Sequence, residues 1–265
     1  MMTSVELKLR MLDVLEQAGR GHLGPALSIL DIIDVLYDSI LSFDSNNPHW
    51  NQRDRFILSK GHGCLALYVV LEKHGFFPSE KLDNFCGFDS WFGGHPESAT
   101  NPGVEFSTGS LGHGLSFGVG LAVAAKMKMQ DWRTFVLLGD GELNEGSVWE
   151  AAAHAKKHSL GNLCVIVDYN KMQASGITDD VLNMSSLPEK FRAFGFDVVE
   201  LNGHHRAELA SVLDFDSGNR INPLAVIAHT IKGNGIPLAE NSVTWHHKAK
   251  ITADEISYLR KSIQL

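Results

Sequence analysis

The sequence has little cysteine. Its 265 residues include only three, Cys64, Cys86 and Cys164, which lie far apart in apolar or aromatic surroundings. Their spacing is not that of a metal site. We therefore expect three reduced thiols in the protein core, where free cysteine behaves as a small apolar side chain.

Long apolar runs and clusters of basic residues are also missing. The first ten residues, MMTSVELKLR, contain no apolar signal core, and no run approaches the roughly 18 apolar residues of a membrane span. The 23 Lys and Arg residues are spread along a chain of net charge −8, which is not the pattern of a surface that follows nucleic-acid phosphates. We therefore expect a cytoplasmic protein that binds neither a membrane nor nucleic acid.

What the sequence does contain is enough apolar side chain, 44% of its residues, to bury one large core. No repeat or low-complexity tract divides the chain, so we expect a single domain, residues 1–265. Helical periodicity starts at Leu7 and ends at the sequence GRGHLGP, and a second apolar helix face runs from Ile29 to Ile40. Further helices are expected near 63–74, 111–130, 147–158, 186–194 and 206–213.

Short apolar runs bounded by polar residues alternate with these helices and are typical of buried strands. They lie at 55–59, 134–140, 163–169, 196–201 and 224–230. Strands that alternate with helices predict an α/β fold with a mostly parallel, doubly wound sheet and helices on both faces. The polar segment 175–186 is expected to be a mobile loop.

Two of these runs end abruptly in polar residues. The run at 134–140 ends in Gly139, Asp140 and Gly141, and the next run is followed by Asn170. In parallel sheets, ligands bind beyond the carboxyl ends of the strands. Glycines let backbone N–H groups approach an anion, and a carboxylate beside an anion implies a cation between them. Mg²⁺ prefers such oxygen ligands, although Gly-Asp-Gly is also a common turn.

The interval between Asp140 and Asn170 resembles the thiamin-diphosphate motif, which opens with Gly-Asp-Gly and closes with Asn. Histidine-containing blocks extend the resemblance over nearly the whole chain, and in this order they resemble the transketolase family. The blocks are GRGHLGP with His22, SKGHG with His62, FGGHPE with His95, STGSLGHG with His113, and TWHHK with His246.

The resemblance implies the diphosphate-binding domain as the fold. It also implies two cofactors, thiamin diphosphate and Mg²⁺, with Ca²⁺ or Mn²⁺ as substitutes. The metal ligands would be the Asp140 carboxylate, the Asn170 side chain and the backbone carbonyl of Met172. Gly139 and Gly141 would lie at the diphosphate.

The same resemblance gives four histidines a catalytic role, and imidazoles suit it because they exchange protons near neutral pH. His62 and His246 would flank the reactive carbon of the cofactor and take part in proton transfer. His22 and His95 would hydrogen-bond the ketose hydroxyls. The thiazolium ring of the cofactor would stabilise the carbanion.

The loop at Gly109, Ser110, Leu111 and Gly112 matches the family segment that touches the aminopyrimidine side of the cofactor. Glu145 and Glu150 fall where the family links two active sites through a chain of carboxylates. Acidic residues also favour a solvated helix start, which is the alternative for this pair.

The remaining histidines receive weaker assignments. His113 is undecided between a contact with the cofactor and a variant neighbour, and His247 departs from a glycine that is common after the channel histidine. Four others match no family position and are expected on the surface: His154, His158, His204 and His205.

After Gly176 the sequence contains only the last two strands, their helices, the segment with His246 and a helical tail. In the family, a further domain supplies the glutamate that activates the aminopyrimidine, and other groups hold the sugar phosphate. We therefore expect the amino-terminal subunit of a split transketolase. Two copies of it would assemble with two copies of a separate carboxy-terminal subunit.

The expected activity is the transfer of a two-carbon ketol unit from a ketose (phosphate) to an aldose (phosphate). One open alternative keeps the cofactor but changes the donor and acceptor, in a specialised sugar pathway or in a subunit like deoxyxylulose-phosphate synthase or a 2-oxoacid dehydrogenase. Another is a non-catalytic diphosphate-binding scaffold. The sequences SKGHG and GGHPE favour transketolase over the two other enzyme types.

Overall fold

Five parallel strands form one sheet at the centre of the computed structural model, which describes residues 2–263. The order across the sheet is β1-β2-β3-β5-β4, and every pairing is parallel. The predicted α/β fold class is confirmed, and each predicted strand lies within one residue of its observed bounds. These bounds are β1 (Arg55–Leu58), β2 (Thr134–Gly139), β3 (Leu163–Tyr169), β4 (Asp197–Asn202) and β5 (Leu224–His229).

Within residues 2–263 the chain also forms ten α-helices. They are α1 (Ser4–Ala18), α2 (Leu23–Leu27), α3 (Leu30–Val35), α4 (Cys64–Lys73), α5 (Gly114–Met127), α6 (Gly146–Lys157), α7 (Thr178–Leu182), α8 (Leu187–Ala193), α9 (Arg206–Leu213) and α10 (Ala253–Ser262).

The two faces of the sheet bury different helices because successive strand residues point to opposite sides. Phe135 and Leu137 of β2 pack on one face with α1 to α4, α9 and α10. Val136 and Leu138 pack on the other face with α5, α6 and α8. Strands β2 and β3 are buried along almost their whole length, which explains their continuous apolar sequences.

Two predicted segments differ from the structure. The second predicted helix, Ile29 to Ile40, is formed by α3 and a π-helical turn, Leu36–Ile40, and the short helix α2 before it was not predicted. Ser28 separates α2 from α3, and its hydroxyl donates to the Pro25 carbonyl at 3.0 Å. The predicted loop at 175–186 contains the helix α7, which begins at the buried Thr178. The hydroxyl of this threonine donates to Asp140 at 3.2 Å and fixes the start of the helix.

The cysteine prediction holds with one difference. All three thiols are free, and Cys64 and Cys164 are buried, but Cys86 is half-buried. Every helix found between residues 2 and 263 is too short or too polar to cross a lipid bilayer.

Helix α5 offers a matched test of its packing on the sheet. A Cβ atom at Gly118 would overlap Cγ2 of Val136 in β2, a stiff side chain, whereas no atom lies within 4 Å of a Cβ at the exposed Gly120. We expect Gly118→Ala to lower the free energy of unfolding by about 1–3 kcal/mol through overpacking. Gly120→Ala should raise it by about 0.5–1 kcal/mol because alanine favours the helix. Urea denaturation measures both, and equal effects would contradict this packing.

Candidate functional site

A cavity of about 270 Å³ lies at the carboxyl ends of β1, β2 and β3, where ligands bind in parallel sheets. Its walls come from the loops after these strands and from segments near both ends of the chain. The predicted site residues that line it are His22, His62, Gly109, Leu111, Gly139, Asp140, Gly141, Asn170, Met172 and His246.

Asp140 and Asn170 are neighbours because the paired strands β2 and β3 end at the same level. The Asp140 carboxylate accepts the backbone N–H of Lys171 at 2.6 Å in addition to the hydroxyl of Thr178. Burial and the nearby Asp168 raise the pKa of Asp140 to about 6. No ion pair among residues 2–263 includes Asp140. A buried carboxylate without a cationic partner would be stabilised by a bound cation.

Asp168 at the end of β3 is fully buried, and four donors surround it. Lys60 forms a buried ion pair with its carboxylate, and the hydroxyls of Ser28 and Thr230 and the side-chain amide of Asn170 donate to it. Burial alone would raise the pKa of Asp168, but the Lys60 ammonium and the hydrogen bonds hold it below the ordinary value. This carboxylate is therefore charged and already compensated.

The orientation of Asn170 follows from these contacts. Its Nδ2 donates to Asp168 at 2.8 Å, so its Oδ1 points the other way and accepts the backbone N–H of Met172 at 3.0 Å. The Asp140 carboxylate, the Asn170 amide oxygen and the Met172 carbonyl thus belong to residues that line one end of the cavity. Carboxylate and carbonyl oxygens are the donors that Mg²⁺ prefers, so this set fits a hard cation.

His22 and His246 are brought together by two segments that are distant in the sequence. An isolated antiparallel bridge joins Gly21 to Lys248, with N–H to carbonyl distances of 3.0 Å in both directions. Gly21 has a φ of +151°, and a Cβ there would lie 2.5 Å from Leu15, so only glycine fits. The bridge leaves the two imidazole centroids 6.1 Å apart.

The four predicted catalytic histidines form one cluster. His62 follows β1 in a short turn, Gly61–Gly63, and its ring stacks on that of His246 at a centroid distance of 5.3 Å. His22 lies 5.8 Å from His62 and 5.9 Å from His95. Three of the four line the cavity, and His95 stands beside His22.

The cluster is neutral at neutral pH. Burial lowers the pKa of all four imidazoles, to about 4 for His22 and about 3 for His246. Positive charge on Lys60 and Lys232 lowers the pKa of three of them further. Neutral imidazoles both accept and donate hydrogen bonds, so the cluster can exchange protons with a bound ligand.

Lys232 fixes the tautomer of His246. Its Nζ lies 2.6 Å from Nδ1 of His246 and 3.2 Å from the Met172 carbonyl. An ammonium group can only donate, so the neutral imidazole accepts at Nδ1 and carries its proton on Nε2. Burial and repulsion by Lys60 lower the pKa of Lys232 to about 8, which leaves it mainly protonated at pH 7.

The loop 109–112 is held against β1 and the turn after β2. The hydroxyl of Thr108 donates to the Leu58 carbonyl at 2.7 Å, and the N–H of Gly112 donates to Glu142 at 2.9 Å. Gly109 and Leu111 line the cavity, whereas Ser110 is exposed.

The N–H groups of Gly139 and Gly141 were expected to face an anion, but other protein groups accept them. Gly139 donates to Glu142 at 3.1 Å, and Gly141 donates to Asp140 at 2.8 Å. The side chain of Lys60 passes beside this turn, and its Cβ and Cδ atoms lie 3.8 Å from a Cβ atom placed at Gly139.

Comparison with known proteins identifies the group to which this architecture belongs. The family model of the transketolase thiamine diphosphate binding domain matches residues 3–265. An apulose-4-phosphate transketolase subunit of Phocaeicola vulgatus is 42% identical over 238 residues, which cover 90% of this chain and 84% of that protein. The chain belongs to the transketolase family.

Two further relatives show the range of the transketolase family. The 6-deoxy-6-sulfo-D-fructose transketolase subunit of a Clostridium species is 37% identical over 243 residues, which cover 92% of this chain and 88% of that protein. The structure of Campylobacter jejuni transketolase matches with a TM-score of 0.88 and 34% identity. That match covers 96% of this chain and 41% of the other, so the chain spans about two fifths of that transketolase. The resemblance recognised from the histidine blocks is confirmed.

The remaining residues predicted from the transketolase pattern lie outside the cavity. Glu145 is the N-cap residue of α6, and Glu150 follows on the same helix; both are exposed. Their role in linking two active sites therefore stays a prediction beside the alternative of a solvated helix start. His113 is the exposed N-cap residue of α5 and stays undecided.

Two other histidines lie close to residues of the site. The exposed His247 has its ring centroid 4.5 Å from that of His22. The surface prediction is wrong for His204, whose side chain is only 14% exposed and lies 2.9 Å from the Asp31 carboxylate. Its Nε2 accepts the N–H of Ile231 at 2.9 Å and so anchors the segment that leads to Lys232. The other three are exposed as expected: His154, His158 and His205.

Four charged residues of the site were not predicted: Lys60, Glu142, Asp168 and Lys232. The sequence gives a signal for two of them. Lys60 follows the apolar run at 55–59, and Asp168 lies near the end of the apolar run at 163–169. Charged side chains are rarely buried unless paired, so each of these positions indicates a partner from another segment.

The buried His22 should make stability depend on pH. Its pKa is about 4 in the folded protein, against an ordinary value of 6.5, so below pH 6.5 the unfolded chain binds a proton that the folded chain refuses. The contribution of the neutral, buried His22 to the free energy of unfolding is complete above pH 6.5 and is lost as the pH falls to about 4. We expect the free energy of unfolding to drop more between pH 7 and pH 4.5 in the wild type than in His22→Gln. Urea denaturation at both pH values measures this, and identical drops would contradict the burial of a neutral His22.

Proposed function

We propose that this chain is the diphosphate-binding subunit of a two-chain transketolase that uses thiamin diphosphate and Mg²⁺. Its reaction would transfer a two-carbon ketol unit from a ketose (phosphate) to an aldose (phosphate). The observation that carries the proposal is one cavity that joins an oxygen donor set with a cluster of neutral histidines. Residues 1–265 would form a single domain around it.

The metal ion would be held by the Asp140 carboxylate, Oδ1 of Asn170 and the carbonyl of Met172. Support comes from the burial of Asp140 without an ion pair among residues 2–263 and from its raised pKa, which follows from that burial and the nearby Asp168. Ca²⁺ or Mn²⁺ could replace Mg²⁺ because they also bind carboxylate and carbonyl oxygens.

The diphosphate would lie at the turn Gly139–Gly141, beside this metal site. Because both glycine N–H groups are used within the protein, the metal ion would compensate most of the diphosphate charge. Lys60 and Lys232 would add to this through their charge alone, since their ammonium groups already donate to protein acceptors. Both ammonium groups belong to residues that line the cavity, and Lys232 also contacts the carbonyl of Met172. Cofactor binding would therefore use side-chain cations together with the metal ion.

The histidines would act on the sugar. Bound thiamin diphosphate supplies the electron sink that stabilises a carbanion. His62 and His246, stacked at 5.3 Å, would exchange protons with the reacting groups, and the Nε2 proton of His246 is the one that this chain holds ready to donate. His22 and His95 would accept and donate hydrogen bonds to ketose hydroxyls. Low pKa values keep each imidazole neutral at pH 7, so each one can both accept and donate a hydrogen bond.

Two further segments would have roles away from the thiazolium ring of the cofactor. Gly109, Ser110 and Leu111 would lie along the aminopyrimidine side of the cofactor. Glu145 and Glu150, at the exposed start of α6, would connect the two active sites of the assembly through carboxylates.

A partner chain would complete the site. Among the described residues, the only acidic ones that line the cavity are Asp140 and Glu142. Asp140 belongs to the donor set, and Glu142 already accepts three hydrogen bonds. Neither is free to make the aminopyrimidine basic, so we propose that a carboxy-terminal subunit supplies that glutamate, in an assembly with two copies of each chain. Relatives that are themselves named as subunits support this division.

The substrate would be an anionic ketose of a specialised sugar pathway. The Phocaeicola vulgatus relative is named for apulose 4-phosphate and the Clostridium relative for 6-deoxy-6-sulfo-D-fructose, so both names give a ketose with an anionic group. Their common feature supports an acidic group at the far end of the sugar rather than one particular sugar.

The metal assignment can be tested with Asp140→Asn, which keeps the size of the side chain and removes its charge. We expect the Mg²⁺-dependent affinity for thiamin diphosphate to fall by about 100-fold or more, because one charged ligand is lost from the shell. Isothermal titration calorimetry measures it. Asp179→Asn, an exposed neighbour in α7, is the matched control and should change the affinity by less than about twofold. Unchanged affinity in a folded Asp140→Asn protein would refute the assignment.

The partner assignment predicts a requirement for two chains. With thiamin diphosphate and Mg²⁺ present, this chain alone should not transfer a ketol unit from xylulose 5-phosphate to ribose 5-phosphate. Co-expression with a carboxy-terminal transketolase subunit should restore transfer, detected by the appearance of the aldose product from that or a related donor. Sustained turnover by this chain alone would disprove the two-chain proposal.

A further inference from the structure

Glu142 is a buried carboxylate at the cavity to which no catalytic or ligand role has been given above. It lies in the short turn between β2 and α6, and only 2% of it is exposed. Its carboxylate accepts three hydrogen bonds, from the Ser59 hydroxyl at 2.5 Å and from the N–H groups of Gly112 at 2.9 Å and Gly139 at 3.1 Å. No basic side chain of the described residues pairs with it directly.

The three donors belong to three different parts of the site. Ser59 ends the β1 run and precedes the turn that carries His62. Gly112 closes the loop 109–112, and Gly139 opens the turn that precedes Asp140. One oxygen, Oε1, serves both Ser59 and Gly112, while Oε2 serves Gly139. The carboxylate therefore spans the space between the loop and the turn.

Packing around these donors leaves little freedom. A Cβ atom at Gly112 would lie 2.6 Å from the Ser147 hydroxyl, and one at Gly114 would overlap Ser59. The Ser147 hydroxyl also donates to the Gly112 carbonyl at 2.9 Å. Both backbone groups of Gly112 are thus fixed, and the loop can approach the turn only as closely as Glu142 permits.

We propose that Glu142 is a positioning residue that sets the distance between the loop 109–112 and the diphosphate turn Gly139–Gly141. The inference rests on the proposed function, in which these two segments hold opposite ends of one thiamin diphosphate. Glu142 does not touch the reacting atoms. It keeps the two binding segments at the separation that a ligand of fixed length requires.

A carboxylate suits this position better than an amide. Its two oxygens both accept, whereas a glutamine has one accepting oxygen and an NH₂ group that can only donate. In Glu142→Gln, at least one of the three buried donors would face another donor and lose its partner. The loop or the turn would shift, and the spacing between them would no longer be fixed.

The test compares two probes on the full chain with Mg²⁺ present: thiamin diphosphate, which spans both segments, and inorganic pyrophosphate, which reaches only the turn. In Glu142→Gln, calorimetry should show an affinity for thiamin diphosphate that is lower by about tenfold or more. The affinity for pyrophosphate should fall by less than about threefold. A general loosening of the fold would instead weaken both probes equally.

Glu72→Gln is the matched control. Glu72 is also a nearly buried carboxylate, but it pairs with Arg10 near the end of α4 away from His62. Its loss should lower the melting temperature and leave both affinities within about twofold. If Glu142→Gln does not fold, Glu142→Asp keeps two accepting oxygens on a side chain that is shorter by one methylene group. It cannot span the same distance between Gly112 and Gly139, and it should show the same selective loss for thiamin diphosphate.

The outcomes are distinct. Equal losses for the two probes, or no loss for thiamin diphosphate, in a folded variant would overturn the positioning role of Glu142 and leave the proposed function standing. A wild-type chain that binds neither probe with Mg²⁺, either alone or assembled with a carboxy-terminal subunit, would overturn the proposed function, and the inference with it.

Discussion

The ion pair between Lys60 and Asp168 is the contact on which the rest of the site depends. Asp168 is fully buried, and its carboxylate is reached from β1 by Lys60, from α2 by the neighbouring Ser28, and from the end of β5 by Thr230. Removing the cation would leave a charge without compensation in the interior, which typically destabilises a protein by about 3–5 kcal/mol. The pair joins the segments that follow β1 and α2 to the ends of β3 and β5. The Asp168 carboxylate also turns the Asn170 oxygen away from itself by accepting its amide group.

Charge at the site is distributed in a way that keeps the imidazoles neutral. Lys60 and Lys232 stand beside the histidines and oppose their protonation, while Asp168 compensates the charge of Lys60. Protonation of an imidazole would add a further positive charge where two already exist. The cluster is consequently suited to hydrogen-bond neutral hydroxyl groups, which need both donors and acceptors.

Much of this arrangement can be read from the sequence, because it depends on local pattern. Strands β2 and β3 are continuous apolar runs, and Asp140 and Asn170 follow from where the runs end. Contacts between distant segments could not be read in the same way. His204 becomes buried only because Asp31, from α3, lies against it, and α7 forms in a polar segment because Thr178 bonds to Asp140. Glu142 has no local signal, since its three donors come from separate segments.

The bridge between Gly21 and Lys248 makes the site a late product of folding. The segment with Gly21 is synthesised before the strands, and the segment with Lys248 is synthesised only after β5. The two sides of the bridge are therefore far apart in the sequence. Such non-local contacts raise the contact order and are slow to form, because the intervening chain must be ordered first. During synthesis, the sheet can assemble around β1, β2 and β3 while His22 still lacks its neighbour. The ability to hold a ligand would then appear only once the segment around Lys248 has left the ribosome, so ligand binding reports that this bridge has formed.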